Sequence, residues 1–116
     1  ATPDTYHMID ADVFTALPDN AVVMNIARGD LIDEEDMLDA LDTGRLRGAY
    51  LDVYEGERDR EPSERLSSHP RVLRSPHVGS SSDIRDLNRQ EVFLGNLRRF
   101  LNGEPMEGVV DWKRGY

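Results

Sequence analysis

Val22-Val23-Met24-Asn25-Ile26-Ala27-Arg28-Gly29-Asp30-Leu31-Ile32-Asp33 is an apolar run that passes through a glycine turn into a helix start. The nearly unbroken apolar stretch 22–26 reads as a strand buried on both faces, as in a parallel sheet. Asp33 is placed to cap a helix whose first turn is filled with acids. Met37, Leu38, Ala40 and Leu41 form its apolar stripe, and Gly44 stands where a helix ends on a left-handed residue. Arg47-Gly48-Ala49-Tyr50-Leu51-Asp52-Val53 then reads as a second strand with one Asp near its end. Strand, helix, strand in this spacing is the repeating unit of an α/β fold with a parallel sheet.

The same alternation extends outward. Upstream, Asp10 or Asp12 can cap a short helix through Val13, Phe14 and Leu17, ended by Pro18-Asp19-Asn20. Downstream, residues 55–70 are polar and Pro-containing, a loop with one helical turn near Ser63–Leu66. Arg71-Val72-Leu73 is a short third strand that leads into Ser75-Pro76-His77. A long helix follows from about Ser82 to Leu101, stopped by Asn102-Gly103, and the tail Val109-Val110-Asp111-Trp112 is expected to dock on a neighbouring surface. The four methionines, Met8, Met24, Met37 and Met106, are expected as core or gap-filling residues. The predicted fold is α/β, half of a doubly wound parallel sheet with helices on both faces. Three such strands leave a sheet edge bare, and Ala1-Thr2-Pro3-Asp4 has neither initiator Met nor signal-peptide pattern. The chain therefore reads as a piece of a longer protein.

Composition narrows the function. The 116 residues hold 23 acids against 14 bases, a formal charge of −9. Such a surface repels phosphate backbones and anionic lipid, so neither nucleic acid nor a membrane is an expected partner. With no Cys, disulfides, thiolate metal sites and Cys nucleophiles are excluded. Lys113 is the only lysine beside thirteen arginines. That bias fits a salt-rich cytoplasm, or a high-GC genome favouring arginine codons.

Ligands of open parallel sheets bind outside the carboxyl ends of the strands, and one candidate follows each strand here: Arg28, Glu57 and His77. Alone, Arg28 reads as a surface ion-pair partner and Glu57 as part of a solvated acidic loop, Glu55-Gly56-Glu57. In its setting, beside a glycine that permits an unusual backbone, Arg28 suits bidentate binding of a carboxylate. His77, held by Pro76 at a strand end, is the strongest candidate, whereas His7 and His69 look solvent-facing. A carboxylate accepting from one imidazole nitrogen fixes the tautomer and favours the charged ring, the state of a proton donor near neutral pH. No metal site is expected, since three scattered histidines have no ligand spacing. There is no G-x-G-x-x-G, P-loop or G-x-S-x-G.

Met24 to Glu34, Gly48 to Tyr54 followed by Glu57, and Ser75-Pro76-His77-Val78-Gly79 together resemble the D-2-hydroxyacid dehydrogenase family, as does the opening Thr2 to Ile9. Motif order and spacing agree over nearly the whole chain. The resemblance implies a C-terminal half of a Rossmann-type NAD(P)-binding domain at 1–81. It makes 82–116 a helix and tail returning towards a substrate domain outside the chain. It implies hydride transfer between NAD or NADP and a small 2-oxo or 2-hydroxy acid such as glyoxylate or hydroxypyruvate, in a cytoplasmic protein that is a homodimer when complete. Arg28 would bind the substrate carboxylate and carbonyl oxygen, His77 would exchange the proton, and Glu57 would hold His77. Asp52 would contact the nicotinamide side of the cofactor, with Ala27 and Gly79 as backbone neighbours. The sequence departs from the family at Arg58, where a Pro is usual, and Glu61-Pro62 follows shortly, so Glu61 competes with Glu57 as the histidine's partner. Without the glycine-rich loop the isolated chain is expected to be inactive. A second reading is a dinucleotide-sensing co-regulator of the same fold without catalysis.

Overall fold

Short acids start the first two helices. Asp10 accepts from the backbone N–H groups of Asp12 and Val13 at 3.1 and 3.3 Å and begins α1 (Ala11–Ala16). Asp33 accepts from those of Glu35 and Asp36, both at 3.1 Å, and begins α2 (Glu34–Asp42). Each side chain satisfies helix-end donors that have no partner within the helix. At the other end of α2, Gly44 takes a φ of 80°, a turn that costs glycine nothing. The structure, a computed structural model, describes residues 2–114.

The described residues fall into two compact units, Ala1–Gly79 and Ser80–Tyr116. In the first, β1 (Ala21–Asn25), β2 (Leu46–Leu51) and β3 (Val72–Arg74) form a parallel sheet in the order β1-β2-β3. Val23, Ala49 and Val72 stand in register, as do Met24, Tyr50 and Leu73. The third strand lies one residue later than the sequence indicates, and the second ends at Leu51, where the Asp52 side chain begins to bind the next turn. A short helix, α3 (Glu64–Ser68), is capped by Ser63.

The core lies on one face of this sheet. Phe14 of α1, Met37, Leu38 and Leu41 of α2, Leu46, Ala49 and Leu51 of β2, and Leu66 of α3 form a single buried cluster. Burying a Leu or Met side chain of this kind contributes about 1.5–3 kcal/mol. Arg65 ties α3 to α2 through Glu35, Asp39 and Asp42 at 2.5, 2.5 and 2.7 Å.

The other face corrects the reading of a strand buried on both sides. Val22, Met24 and Ile26 alternate outward and are 46%, 66% and 58% exposed, because α1, α2 and α3 all join the core on the opposite face. Helices on both faces are not found among the described residues of this unit. Of the four methionines only Met37 is in the core; Met8, Met24 and Met106 are exposed. The two histidines taken as solvent-facing are engaged instead. His69 bonds Asp42 at 3.2 Å and accepts from the Arg71 N–H, while His7 pairs with Asp33 at 3.0 Å.

The second unit is α4 (Asp83–Leu101), capped by Ser82 and ended at Asn102 and Gly103, the latter at a φ of 70°. Ile84, Leu87, Val92, Phe93 and Phe100 are exposed along it. The tail does not dock as expected among the described residues: Trp112 is 90% exposed. Instead Glu107 folds back onto α4 through two bonds with Asn96, at 2.8 and 2.9 Å, and one with Arg99. Among the described residues no helix is long and apolar enough to cross a membrane.

Candidate functional site

The three sequence candidates follow the carboxyl ends of β1, β2 and β3 within the first unit. At the end of β1, buried Asn25 shapes the chain that carries Arg28. Its Oδ1 accepts from the Ala27 N–H at 3.0 Å and its Nδ2 donates to the Arg28 carbonyl at 2.8 Å. A polar residue closing an apolar strand before a turn is the signal that identifies such a side chain. The Arg28 guanidinium is exposed and donates to the Ala27 carbonyl at 2.6 Å.

Gly29 is needed here for space rather than for an unusual backbone, since its φ is not in the left-handed region. A Cβ on Gly29 would lie 2.0 Å from the Tyr54 carbonyl. Its absence lets the Arg28 turn press against the chain leaving β2. That chain turns at Gly56 (φ 72°) and folds on itself: the Asp59 and Arg60 N–H groups both donate to the Gly56 carbonyl, at 2.9 and 3.0 Å.

The turn after β3 is organised by Asp52, which is 2% exposed. Its Oδ1 accepts from the Ser75 hydroxyl and from the Val78 N–H at 2.9 Å, and its Oδ2 accepts from the Gly79 N–H at 2.6 Å. The Asp52 carbonyl also accepts from the His77 N–H at 3.0 Å. Chiefly the Ser75 hydroxyl, and then the two backbone donors, hold the Asp52 carboxyl below its ordinary range. His77 is held at a φ of 52°, a conformation side chains other than glycine's rarely adopt and one that clusters at functional sites.

So placed, His77 Nδ1 meets Glu57 Oε1 at 2.8 Å, with the Glu57 side chain 18% exposed. A carboxylate facing an imidazole nitrogen favours a proton on that nitrogen, so the contact orients Nε2 as the ring atom for a ligand. Glu61 lines the same cleft, and among the described residues the ion pair with His77 is made by Glu57. The cleft beside His77 is about 590 Å³ and includes Asp52, Tyr54, Glu57, Arg58 and Glu61 in its wall. A second, of about 370 Å³, includes Arg28, Gly29 and Asp30 and shares Tyr54, Glu57 and Arg58 with the first. Arg28 and His77 therefore lie in adjoining clefts with Glu57 between them. No group of three or more His, Asp or Glu side chains suited to a metal is present among the described residues.

The residue that would meet a nicotinamide amide is Asp52, which lines the cleft. Asp52 Oδ2 takes a single bond, from Gly79, which leaves a lone pair for an amide donor at the cleft wall. The Ala27 N–H is already committed to Asn25, so only its surface is open to a ligand.

Sequence reading passed over Asn25, Ser75 and Glu34. Burial pushes the Glu34 carboxyl above its ordinary range. As an acid in the first turn of a helix, its side chain gave no sign that it reaches the strand exit 21 residues away.

Comparison with known proteins agrees with this geometry. Residues 1–79 match the family described as D-isomer specific 2-hydroxyacid dehydrogenase, NAD binding domain. A glyoxylate/hydroxypyruvate reductase A of Klebsiella pneumoniae is 40% identical over 116 residues, which are 99% of this chain and 36% of that protein. An NADPH-dependent glyoxylate/hydroxypyruvate reductase of Sinorhizobium meliloti, solved with NADP and sulfate, is 40% identical. It superposes with a TM-score of 0.84 over 100% of this chain and 37% of its own. A D-isomer specific 2-hydroxyacid dehydrogenase of Xanthobacter autotrophicus, solved with NADPH and MES, is 35% identical with a TM-score of 0.85, covering 100% and 47%. The chain spans about a third of the length of the curated relatives it matches. With the motif order, the parallel sheet and these likenesses in agreement, the chain belongs to the D-isomer specific 2-hydroxyacid dehydrogenase family, through its NAD-binding domain.

Proposed function

We propose that this chain supplies the acid–base half of an NAD(P)-dependent reductase of small 2-oxo acids, glyoxylate or hydroxypyruvate being the preferred class. The observation that carries this reading is the 2.8 Å pair between Glu57 and His77 at a cleft adjoining Arg28. Asp52 would hold the nicotinamide end of a dinucleotide, and the chemistry such a group would supply is hydride for C2 of the 2-oxo acid. Arg28 binds the substrate carboxylate and orients its carbonyl. As C2 accepts the hydride, the carbonyl oxygen takes the proton from His77 Nε2, giving the 2-hydroxy acid. That proton comes from the doubly protonated ring; Glu57, facing Nδ1, stabilises this charged form and favours the Nδ1–H tautomer that remains after transfer. In the oxidative direction the same nitrogen receives the proton.

The curated relatives are nearly three times as long as the matched segment, so the activity is proposed for the whole product of the source gene, a cytoplasmic homodimer. The test is His77→Ala in that protein. Turnover of glyoxylate with NADPH or NADH should be lost while fluorescence titration still shows cofactor binding. Turnover that survives the substitution refutes the assignment.

A further inference from the structure

The turn that carries Glu57 is clamped from behind by residues outside both clefts. Glu34, the first residue of α2 and only 8% exposed, reaches across with Oε1 to accept from the Glu55 N–H at 2.6 Å. The Glu55 carboxylate is caught in turn: Tyr6 donates its hydroxyl to Oε1 at 2.9 Å, and Arg60 stands 3.6 Å from Oε2. Tyr6 stacks on His7 with ring centroids 3.9 Å apart. His7 Nδ1 stands 3.0 Å from the carboxylate of Asp33, the cap of α2, while its Nε2 is 3.5 Å from Glu55 Oε1. The His7 N–H donates to the Asp30 carbonyl at 2.8 Å. The N-terminal segment, the Arg28 turn, the start of α2 and the exit of β2 thus converge on one residue, Glu55, two positions before Glu57.

We infer that Glu34 and Tyr6 are positioning residues for the reaction, fixing Glu55 so that Glu57 meets the His77 imidazole. This rests on the acid–base reading of Glu57 and His77. The physical reason is leverage. The turn after β2 is closed by Gly56, whose left-handed φ sets no preference of its own, and it is exposed from Arg58 to Arg60. Its hold on the body comes from Glu34 and Tyr6 at Glu55, and from contact with Gly29. Glu34 is a carboxyl that burial disfavours as an anion, and it is not needed to cap α2, which Asp33 does. Its one hydrogen bond goes to the backbone of the catalytic turn.

The experiment compares Glu34→Ala, Glu34→Gln and Tyr6→Phe in the whole source-gene product, with Asp36→Ala as control. Asp36 also lies in α2 and also accepts a backbone N–H, that of Ala11 at 2.9 Å, but faces away from the turn. Glu34→Ala should lower kcat by about 10- to 100-fold with KM within about twofold, as displacement of a catalytic group by about 1 Å does. Glu34→Gln keeps an acceptor oxygen and should recover most of that loss. Tyr6→Phe, which removes one hydroxyl from a half-exposed ring, should reduce kcat less and in the same direction. The decisive readout is the nitrogen–proton spectrum of His77: its Nδ1–H signal should broaden or vanish in Glu34→Ala and persist in Glu34→Gln and Asp36→Ala. Should Glu34→Ala fail to fold, Tyr6→Phe carries the test: its His77 signal should broaden relative to the parent, and an unchanged signal with unchanged kcat overturns the clamp. The clamp is overturned if folded Glu34→Ala keeps both kcat and that signal, or if Asp36→Ala loses as much of each. Turnover that survives His77→Ala would instead refute the acid–base assignment, and the Nδ1–H signal would still judge the clamp.

Discussion

Replacing Gly29 by alanine should separate the two turns that make up the site. The new Cβ would stand 2.0 Å from the carbonyl carbon and oxygen of Tyr54 and 2.4 Å from the Glu55 nitrogen. Carbon atoms rest at about 3.5–4.0 Å from one another, so one backbone must retreat by roughly 1.5 Å. All the clashing atoms are main chain, so no side chain can rotate away to relieve them. The 2.6 Å bond from the Glu55 N–H to Glu34 does not survive such a displacement, because contacts beyond about 3.5 Å cease to be hydrogen bonds. Overpacking costs about 1–3 kcal/mol, and loss of a bond to a charged partner about 1.5–3 kcal/mol more. The expected destabilisation is about 2.5–6 kcal/mol, a large part of the 5–15 kcal/mol that holds a domain of ordinary stability. Urea unfolding followed by far-ultraviolet circular dichroism measures it, with Gly48→Ala as comparison because its Cβ meets only the Arg71 carbonyl, at 3.2 Å. A Gly29→Ala protein within about 0.5 kcal/mol of the parent, the range of an indifferent surface change, would show that the turns do not rely on this contact.

Asp52→Asn should loosen the His77 turn, because one of the two oxygens that accept from Ser75, Val78 and Gly79 becomes a donor facing donors. Since the Asp52 carboxyl lies below the ordinary 3.8 in the folded protein, its contribution is full above that value and is lost as pH falls through the lower folded value. Urea midpoints measured from neutral to strongly acidic pH should therefore converge for parent and variant at the acid end; a constant gap contradicts the assignment. Gly95→Ala, inside α4 with nothing within 4 Å of the new Cβ, should stabilise that helix by about 0.5–1 kcal/mol. An unchanged or lower helix content on thermal scanning would contradict it.

Much of this arrangement is local and was legible in the residues. Asp33 caps α2 and Asp10, one of two acids the residues offered, caps α1, because short polar side chains satisfy helix-end donors where they precede an apolar stripe. The order of strands and helices follows from periodicity, and the motif at each strand end placed Arg28, Glu57 and His77 on one rim. What the residues alone left open were facts of contact. The choice of Glu57 over Glu61 required the left-handed His77 backbone and the turn at Gly56. The reason for Gly29 was steric and belonged to Tyr54, far along the chain. Glu34 looked like an acid serving the helix dipole until the exit of β2 came within reach of it. An apolar run does not say how many of its faces are covered, so Val22, Met24 and Ile26 were read as buried while the three short helices gather on the other side. Sequence determines what a segment prefers through interactions a few residues long. Which distant backbone a side chain meets, and therefore what it does for the site, is decided only when the chain is packed.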